Sequence, residues 1–181
     1  MPLQILKIEK ECFPAATFIG KKYTGRANWG EWWENDWFSV LEKAPRLEEN
    51  GDAYIGAVRT VNDEKERWIG MFFPLGTPAP EGFDAVDMEP ANYAVCYLRD
   101  KEGSAAFYTP ETHALCLDAL AAKGLRQKET GWCFGRYNCP RFTAPDETDD
   151  VILDYGIAVN DCPGGTPCAR KIFPKPMPCG D

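Results

Sequence analysis

Residues 67–100 read RWIGMFFPLGTPAPEGFDAVDMEPANYAVCYLRD, and the chain closes one unit and opens another inside this run. Arg67–Leu75 is a run of aromatic and branched apolar residues that predicts a strand. The Pro- and Gly-rich GTPAPEG after it is a loop, and Asp84–Leu98 predicts a strand again. Upstream, AYIGAVRTV at Ala53–Val61 predicts another strand, joined to Arg67–Leu75 through the polar turn NDEKE. A helix is expected before it, from Asn28 to about Ala44, with Asn28 and Glu31 spaced as a capping box and Pro45 as its stop. Ile5–Tyr23 before that is strand-like.

Downstream the same order returns. Asp84–Leu98 leads to a helix with Thr109 as N-cap, Pro110 at its first position and Gly124 as its stop, then to strands at Trp132–Tyr137 and Val151–Val159. Pro14-Ala15 recurs as Pro90-Ala91, the cap Asn28 as Thr109, Gly56 as Gly135 and Gly70 as Gly156, at offsets between 76 and 86 residues. A near-constant offset predicts an internal duplication of strand-helix-strand-strand units, with halves at about 3–75 and 83–160. Glycine inside a strand weakens it, so four at equivalent places point to a close approach there, by a helix or by a ligand. Residues 161–181, DCPGGTPCARKIFPKPMPCGD, are a Pro-, Gly- and Cys-rich tail without an apolar period; Ile172 and Phe173 could lay it over the domain, or it is loose.

Three segments together, RWIGMFFPLGTPAPEGFDAVDMEPANYAVCYLRD, AYIGAVRTV and VILDYGIAV, resemble the GyrI-like small-molecule-binding domain, which also serves as the effector-binding part of AraC- and MerR-type multidrug-responsive regulators. The resemblance spans residues 3–160 and implies an α+β fold. Two halves related by a pseudo-twofold axis would form an antiparallel sheet with two helices on one face and a ligand groove between them. It also implies binding of flat, often cationic, lipophilic compounds against aromatic rings. The chain begins close to its first strand, so the expectation is the stand-alone form. One departure matters: Trp132–Tyr137 matches a strand in which many members carry a glutamate two residues before a tyrosine, and Gly135 stands at that place with Tyr137 retained. Glycine can neither pair with a cation nor transfer a proton.

Composition narrows the function classes. With 181 residues, 44% apolar and 27% charged, the chain is of ordinary globular make-up. Its net charge of -8 and lack of any Lys/Arg cluster argue against direct nucleic-acid binding. The charges in MPLQILKIEKECF break any secretory core, and no run approaches the ~20 apolar residues of a membrane span, so a cytoplasmic address is expected. Of eight cysteines, Cys12, Cys96 and Cys116 lie in apolar runs; Cys133/Cys139 and Cys162/Cys168 are too widely spaced for a zinc site, and Cys179 is alone. Neither a metal nor a cofactor is expected.

Candidate site residues follow from strand alternation. With Gly135 facing the groove, Cys133 and Tyr137 share its face, and by the repeat Tyr54, Gly56 and Val58 do the same. Trp68, Gly70 and Phe72 lie on one face of their strand, as Asp154, Gly156 and Ala158 do of theirs. Asp154 interrupts an apolar run: it is either a solvated residue or the carboxylate of the groove, where charge and cation–π attraction would act together. In NWGEWWENDWF (28–38), Trp29, Trp33 and Trp37 recur every four residues as a core stripe with one end toward the groove, leaving Trp32 and Phe38 apolar without an evident reason. The expected ligand-binding set is Trp33, Trp37, Tyr54, Trp68, Phe72, Tyr137, Asp154 and Tyr155. No residue is assigned a catalytic role: His113 reads as a packed or surface histidine, and no nucleophile elbow is present. A binder that senses or sequesters small molecules is expected. The alternatives are a hydrolase of reactive small molecules using Asp154 with Tyr137 or Tyr155, and a protein-interaction module with a protein partner.

Overall fold

A computed structural model describes residues 2–45, 53–137 and 140–160. The expected tail at 161–181, with Cys162, Cys168, Cys179, Ile172 and Phe173, lies outside the described residues, as does Cys139.

Each strand expected to open a unit is two strands. Ile5–Tyr23 divides into β1 (Gln4–Phe13) and β2 (Ala16–Tyr23), and Asp84–Leu98 into β5 (Asp84–Met88) and β6 (Ala91–Lys101). The breaks fall at Pro14 and Pro90: proline has no N–H to give to a ladder and restricts the residue before it. The remaining strands are β3 (Ile55–Val61), β4 (Glu64–Pro74), β7 (Cys133–Arg136) and β8 (Asp150–Val159). A two-residue turn joins β3 to β4, with Asn62 and Asp63 both at positive φ as the primed hairpin turns require. All eight strands form one antiparallel sheet in the order β1-β6-β8-β7-β3-β4-β2-β5.

The sheet is strongly curled. Phe13 on edge strand β1 lies five places from Phe72 on β4, which in a flat sheet would be about 24 Å away, yet their ring centroids are 5.9 Å apart. The inner face closes on a core that includes Phe13, Phe18, Trp68, Phe72, Tyr93, Trp132 and Phe134. The helices cover the other face. The helix α3 (Pro110–Ala122) lays Cys116 and Leu120 against Cys96, Leu98, Leu153 and Ile157. It begins as expected: Thr109 accepts from the Thr112 amide, Pro110 is at its start, and Gly124 at φ 73° follows its end. A 3₁₀ turn, Ala105–Tyr108, precedes it, and a short helix α4 (Pro140–Thr143), not expected from the sequence, lies beside β8.

The helix expected over 28–44 breaks in two. Helices α1 (Trp29–Glu34) and α2 (Trp37–Leu41) are separated by Asp36 in the left-handed conformation at φ 51°, which aspartate tolerates better than most residues. Asn35 ends α1 by donating from its side chain to the Glu31 carbonyl. Asn28 does cap α1, through the Gly30 amide, but no capping box forms, because the Glu31 carboxylate accepts from the Tyr23 hydroxyl instead. The break resets the helical phase and reverses the tryptophan reading. Trp32 is fully buried, its indole N–H donating to Tyr23, and Phe38 is buried beside it at 4.4 Å. Trp33, expected in the core stripe, is 60% exposed.

Candidate ligand pocket

Strands β3 and β7 meet at the middle of the sheet, where Gly56 pairs with Gly135. Their missing side chains let the Tyr137 ring lie flat on the sheet: a Cβ on Gly135 would stand 2.7 Å from the Tyr137 hydroxyl oxygen, and one on Gly56 would stand 3.0 Å from the Trp29 ring and 3.1 Å from that of Tyr137. The close approach that the strand glycines imply is therefore made by aromatic rings at this pair. At Gly156 it is made by Phe134 from the inner face, and Gly20 and Gly70 meet each other's backbone.

A pocket of about 440 Å³ opens over this pair, walled on one side by Trp29 of α1 and on the other by Tyr108, Thr109, Pro110 and His113 at the start of α3. Trp29 packs edge-on to Tyr137 at 4.7 Å, and Tyr108 is hydrogen-bonded to Tyr137. Burial raises the Tyr137 hydroxyl well above its ordinary pKa, so it stays protonated and can donate. Deeper, His113 Nδ1 and the Tyr155 hydroxyl are 2.9 Å apart. Burial lowers the His113 pKa, the Lys65 charge lowers it further, and a Gln127 hydrogen bond works against both. The Cys133 thiol is pushed up to about 11, chiefly by burial, which keeps it a poor nucleophile at neutral pH.

Charge on the walls is mostly positive. Among the described residues Arg59, Lys65 and Arg67 line the pocket, against the single carboxylate of Glu129. Arg59 is neutralised by Glu66 at 2.9 Å and stacks over Trp132, and the Arg67 guanidinium donates to the Gly25 carbonyl at 3.5 Å.

Of the expected site residues, Tyr137 and Tyr155 line this pocket; Trp68 borders it from β4, but its ring packs on the inner face against Phe18 and Trp132. The others lie elsewhere. Trp33 is on the surface against Phe38 and Tyr54; Trp37 lies under the Lys21 ammonium; Tyr54 stacks on Phe38 at 3.7 Å and donates to Glu42 at 2.6 Å. Phe72 is in the inner core. Asp154 is 1% exposed and is placed on the inner side of β8, away from the pocket lining, where it accepts from Arg136 at 3.0 Å and from Arg141 of α4 at 2.8 Å. Arg136 in turn donates both terminal nitrogens to Glu11 at 3.0 and 2.8 Å. The result is a buried chain of two carboxylates and two guanidiniums rather than an open anionic site. Gly135, Cys133, Gly56 and Val58, taken from the sequence to share the groove side, all line the pocket, and on β8 the residues that do so are Leu153 and Tyr155.

The pocket residues that sequence reasoning passed over are Trp29, Tyr108, His113, Lys65 and Arg67. Trp29 was visible as the first member of the tryptophan stripe. Tyr108 stands just before the Thr109 cap, where a side chain at a helix entrance faces whatever lies across the sheet. Lys65 and Arg67 were hidden in the polar NDEKER turn, which reads as solvent-exposed.

No sequence family and no curated protein matches the chain. Solved structures share its fold. The structure of SAV2435 bound to tetraphenylphosphonium aligns with a TM-score of 0.60 at 13% identity, covering 86% of this chain and 94% of that one. The EcmrR C-terminal domain aligns at 0.57 and 8% identity, covering 90% and 100%. A bacterial transcription regulation protein from Staphylococcus aureus MU50, described as putative, aligns at 0.51 and 13%, covering 86% and 99%. The chain thus has an α+β fold shared with a tetraphenylphosphonium-bound protein and with the EcmrR C-terminal domain, which agrees with the fold that the resemblance to GyrI-like domains implies. Among the described residues no helix is long and apolar enough to cross a membrane.

Proposed function

We propose that this chain is a GyrI-like domain that senses or sequesters a lipophilic, planar small molecule in the groove between α1 and α3. The observation that carries the reading is the pocket itself, about 440 Å³ with Trp29, Tyr108, Tyr137 and Tyr155 in its walls. That volume falls in the usual range for small-molecule sites, and mostly apolar walls with a few convergent polar groups are their usual make-up. The tetraphenylphosphonium on SAV2435 shows that a protein of this fold holds a bulky aromatic compound. The proposed duplication draws support from the strand order: exchanging β1–β4 with β5–β8 and reading backwards returns the same order. The β3–β7 ladder with its facing glycines then lies on the pseudo-twofold axis, as a groove shared by two halves requires.

Binding is favoured over turnover by two features. Asp154, the acid–base candidate, is occupied by Arg136 and Arg141, and the Cys133 thiol is protonated at neutral pH. Calorimetric titration with 2-naphthalenemethanol, a neutral planar probe, tests the groove. Binding is expected, and Trp29→Ala, which removes one wall, weakens it about tenfold, the loss of roughly 1.4 kcal/mol of ring contact. Affinity unchanged in Trp29→Ala would place the probe elsewhere on the molecule.

A further inference from the structure

The chain carries a net charge of -8, yet among the described residues its pocket lining holds Arg59, Lys65 and Arg67 against one carboxylate. Field and fold oppose each other here, and the local sign decides what can enter. Among the described residues the only lining carboxylate, Glu129, is exposed. Two other acidic groups are already paired: Glu66, outside the lining, with Arg59 and Lys22, and Asp154, on the inner face, with two arginines. Lys65 and Arg67 remain. They are two residues apart on β4, so both side chains project on one face, and it is the face of Ile69 and of the pocket rather than that of Trp68. Among the described residues no carboxylate forms an ion pair with either. The Lys65 charge is felt at both His113 and Cys133, across the pocket floor. The positive end of the thirteen-residue α3, at Thr109 and Pro110 on the facing wall, adds a field of the same sign. At the centre of the sheet Gly135 contributes no charge at all.

We infer that the groove selects an aromatic anion: a planar ring system, seated against Trp29 and Tyr137, that carries a carboxylate or sulfonate directed to Lys65 and Arg67. The inference rests on the groove reading above and adds the charge of the ligand to it. A cation in the same place would meet Lys65 and Arg67 and, among the described residues, find no lining carboxylate but that of Glu129. The hydroxyls of Tyr108 and Tyr155 suit an anion as donors, and burial keeps the Tyr155 hydroxyl protonated.

The test is an isosteric series on one ring system: 2-naphthoate, 2-naphthalenemethanol and 2-naphthylmethylammonium, titrated by calorimetry into the full chain at low and moderate salt. The expected order is anion, neutral, cation, with naphthoate tighter than the ammonium by about tenfold or more, since hydrogen bonds to charged groups exceed neutral ones in strength. Only the naphthoate affinity should fall with added salt. Lys65→Gln combined with Arg67→Gln, at positions outside the core, should bring naphthoate to the level of the neutral probe measured in the same variant; an unaltered urea midpoint verifies the fold. Equal or tighter binding of the ammonium, or an anion preference that survives the double substitution, overturns the anion assignment and leaves the groove intact. Failure of all three probes to bind overturns the groove reading together with it.

Discussion

Replacing Asp154 separates structure from recognition at the residue that the sequence marks most strongly as a ligand carboxylate. In the structure its oxygens accept from Arg136 Nε at 3.0 Å and from Arg141 Nε at 2.8 Å, with a further contact from Arg141 Nη2. Arg136 keeps its two bonds to Glu11 when Asp154 is lost, whereas Arg141, only 15% exposed, loses its contacts to this carboxylate. Removing one partner of a buried pair leaves a desolvated charge, at a cost of about 3–5 kcal/mol. Asp154→Ala should lie near the upper end. Asp154→Asn should lie near the lower, because its amide oxygen still accepts one bond while its NH2 group faces a guanidinium. Against a total of about 5–15 kcal/mol for a typical domain, either substitution should move the urea midpoint clearly, read by tryptophan emission. Naphthalenemethanol affinity, measured below the transition, should stay within about twofold, as expected for sites that share no partner. An Asp154→Asn protein of unchanged urea midpoint and weakened ligand binding would refute this account and return the carboxylate to the groove.

Gly135→Ala places a methyl 2.7 Å from the Tyr137 hydroxyl oxygen and 2.9 Å from its Cζ, so it should destabilise by about 1–3 kcal/mol in urea unfolding. With Tyr137→Ala already present the same change should stabilise by ~0.5–1 kcal/mol, the ordinary benefit of Ala over Gly; the same cost in both backgrounds would mean the ring is not the obstacle. The His113 pKa is lowered by burial, so between that value and the ordinary 6.5 the unfolded chain takes up a proton that the folded chain does not. This penalty is absent above pH 6.5 and grows as pH falls toward the folded pKa. Wild-type protein should therefore lose more stability than His113→Gln between pH 7.5 and 5.5, and parallel losses in urea titrations at the two pH values would show that His113 is not held neutral.

Much of the fold was legible because its signals are local. The Thr109-Pro110 start and Gly124 stop of α3, the alternating strands and the polar hairpin turn each specify their own geometry. The division of both opening strands at Pro14 and Pro90 was in view as a repeated Pro-Ala pair, whose structural meaning is a change of sheet neighbour: β1 pairs with β6 while β2 pairs with β4 and β5. What was not legible depends on the rest of the molecule. A helical wheel over 28–44 assumes one axis, and a single left-handed residue, Asp36, exchanged the buried and exposed tryptophans. Alternation gave the two faces of β4 and β8 but not which face the helices cover, so Asp154 and Phe72 were placed on the groove and belong to the inside of the curl.

Under the proposed duplication, divergence between the halves explains why the site could not be carried from one to the other. At the offsets of the paired glycines, Trp68 of β4 corresponds to Asp154 of β8, and Ala57 of β3 to Arg136 of β7. One half fills these inner positions with a tryptophan over an alanine, packed against Phe18 and Trp132. The other fills them with an aspartate and an arginine, tied to Glu11 of β1 and to Arg141 of α4. An ion pair inside the sheet is tolerable only when its charges are matched and its oxygens engaged, and α4 supplies the second arginine, so that both oxygens of Glu11 and both of Asp154 accept. The Asp154 carboxylate is thus directed inward and neutralised there. The outer face above Gly56 and Gly135 is left with aromatic rings and with the cations of β4, so on the proposed duplication the polarity of the pocket is set by where the two halves differ rather than by the features they share.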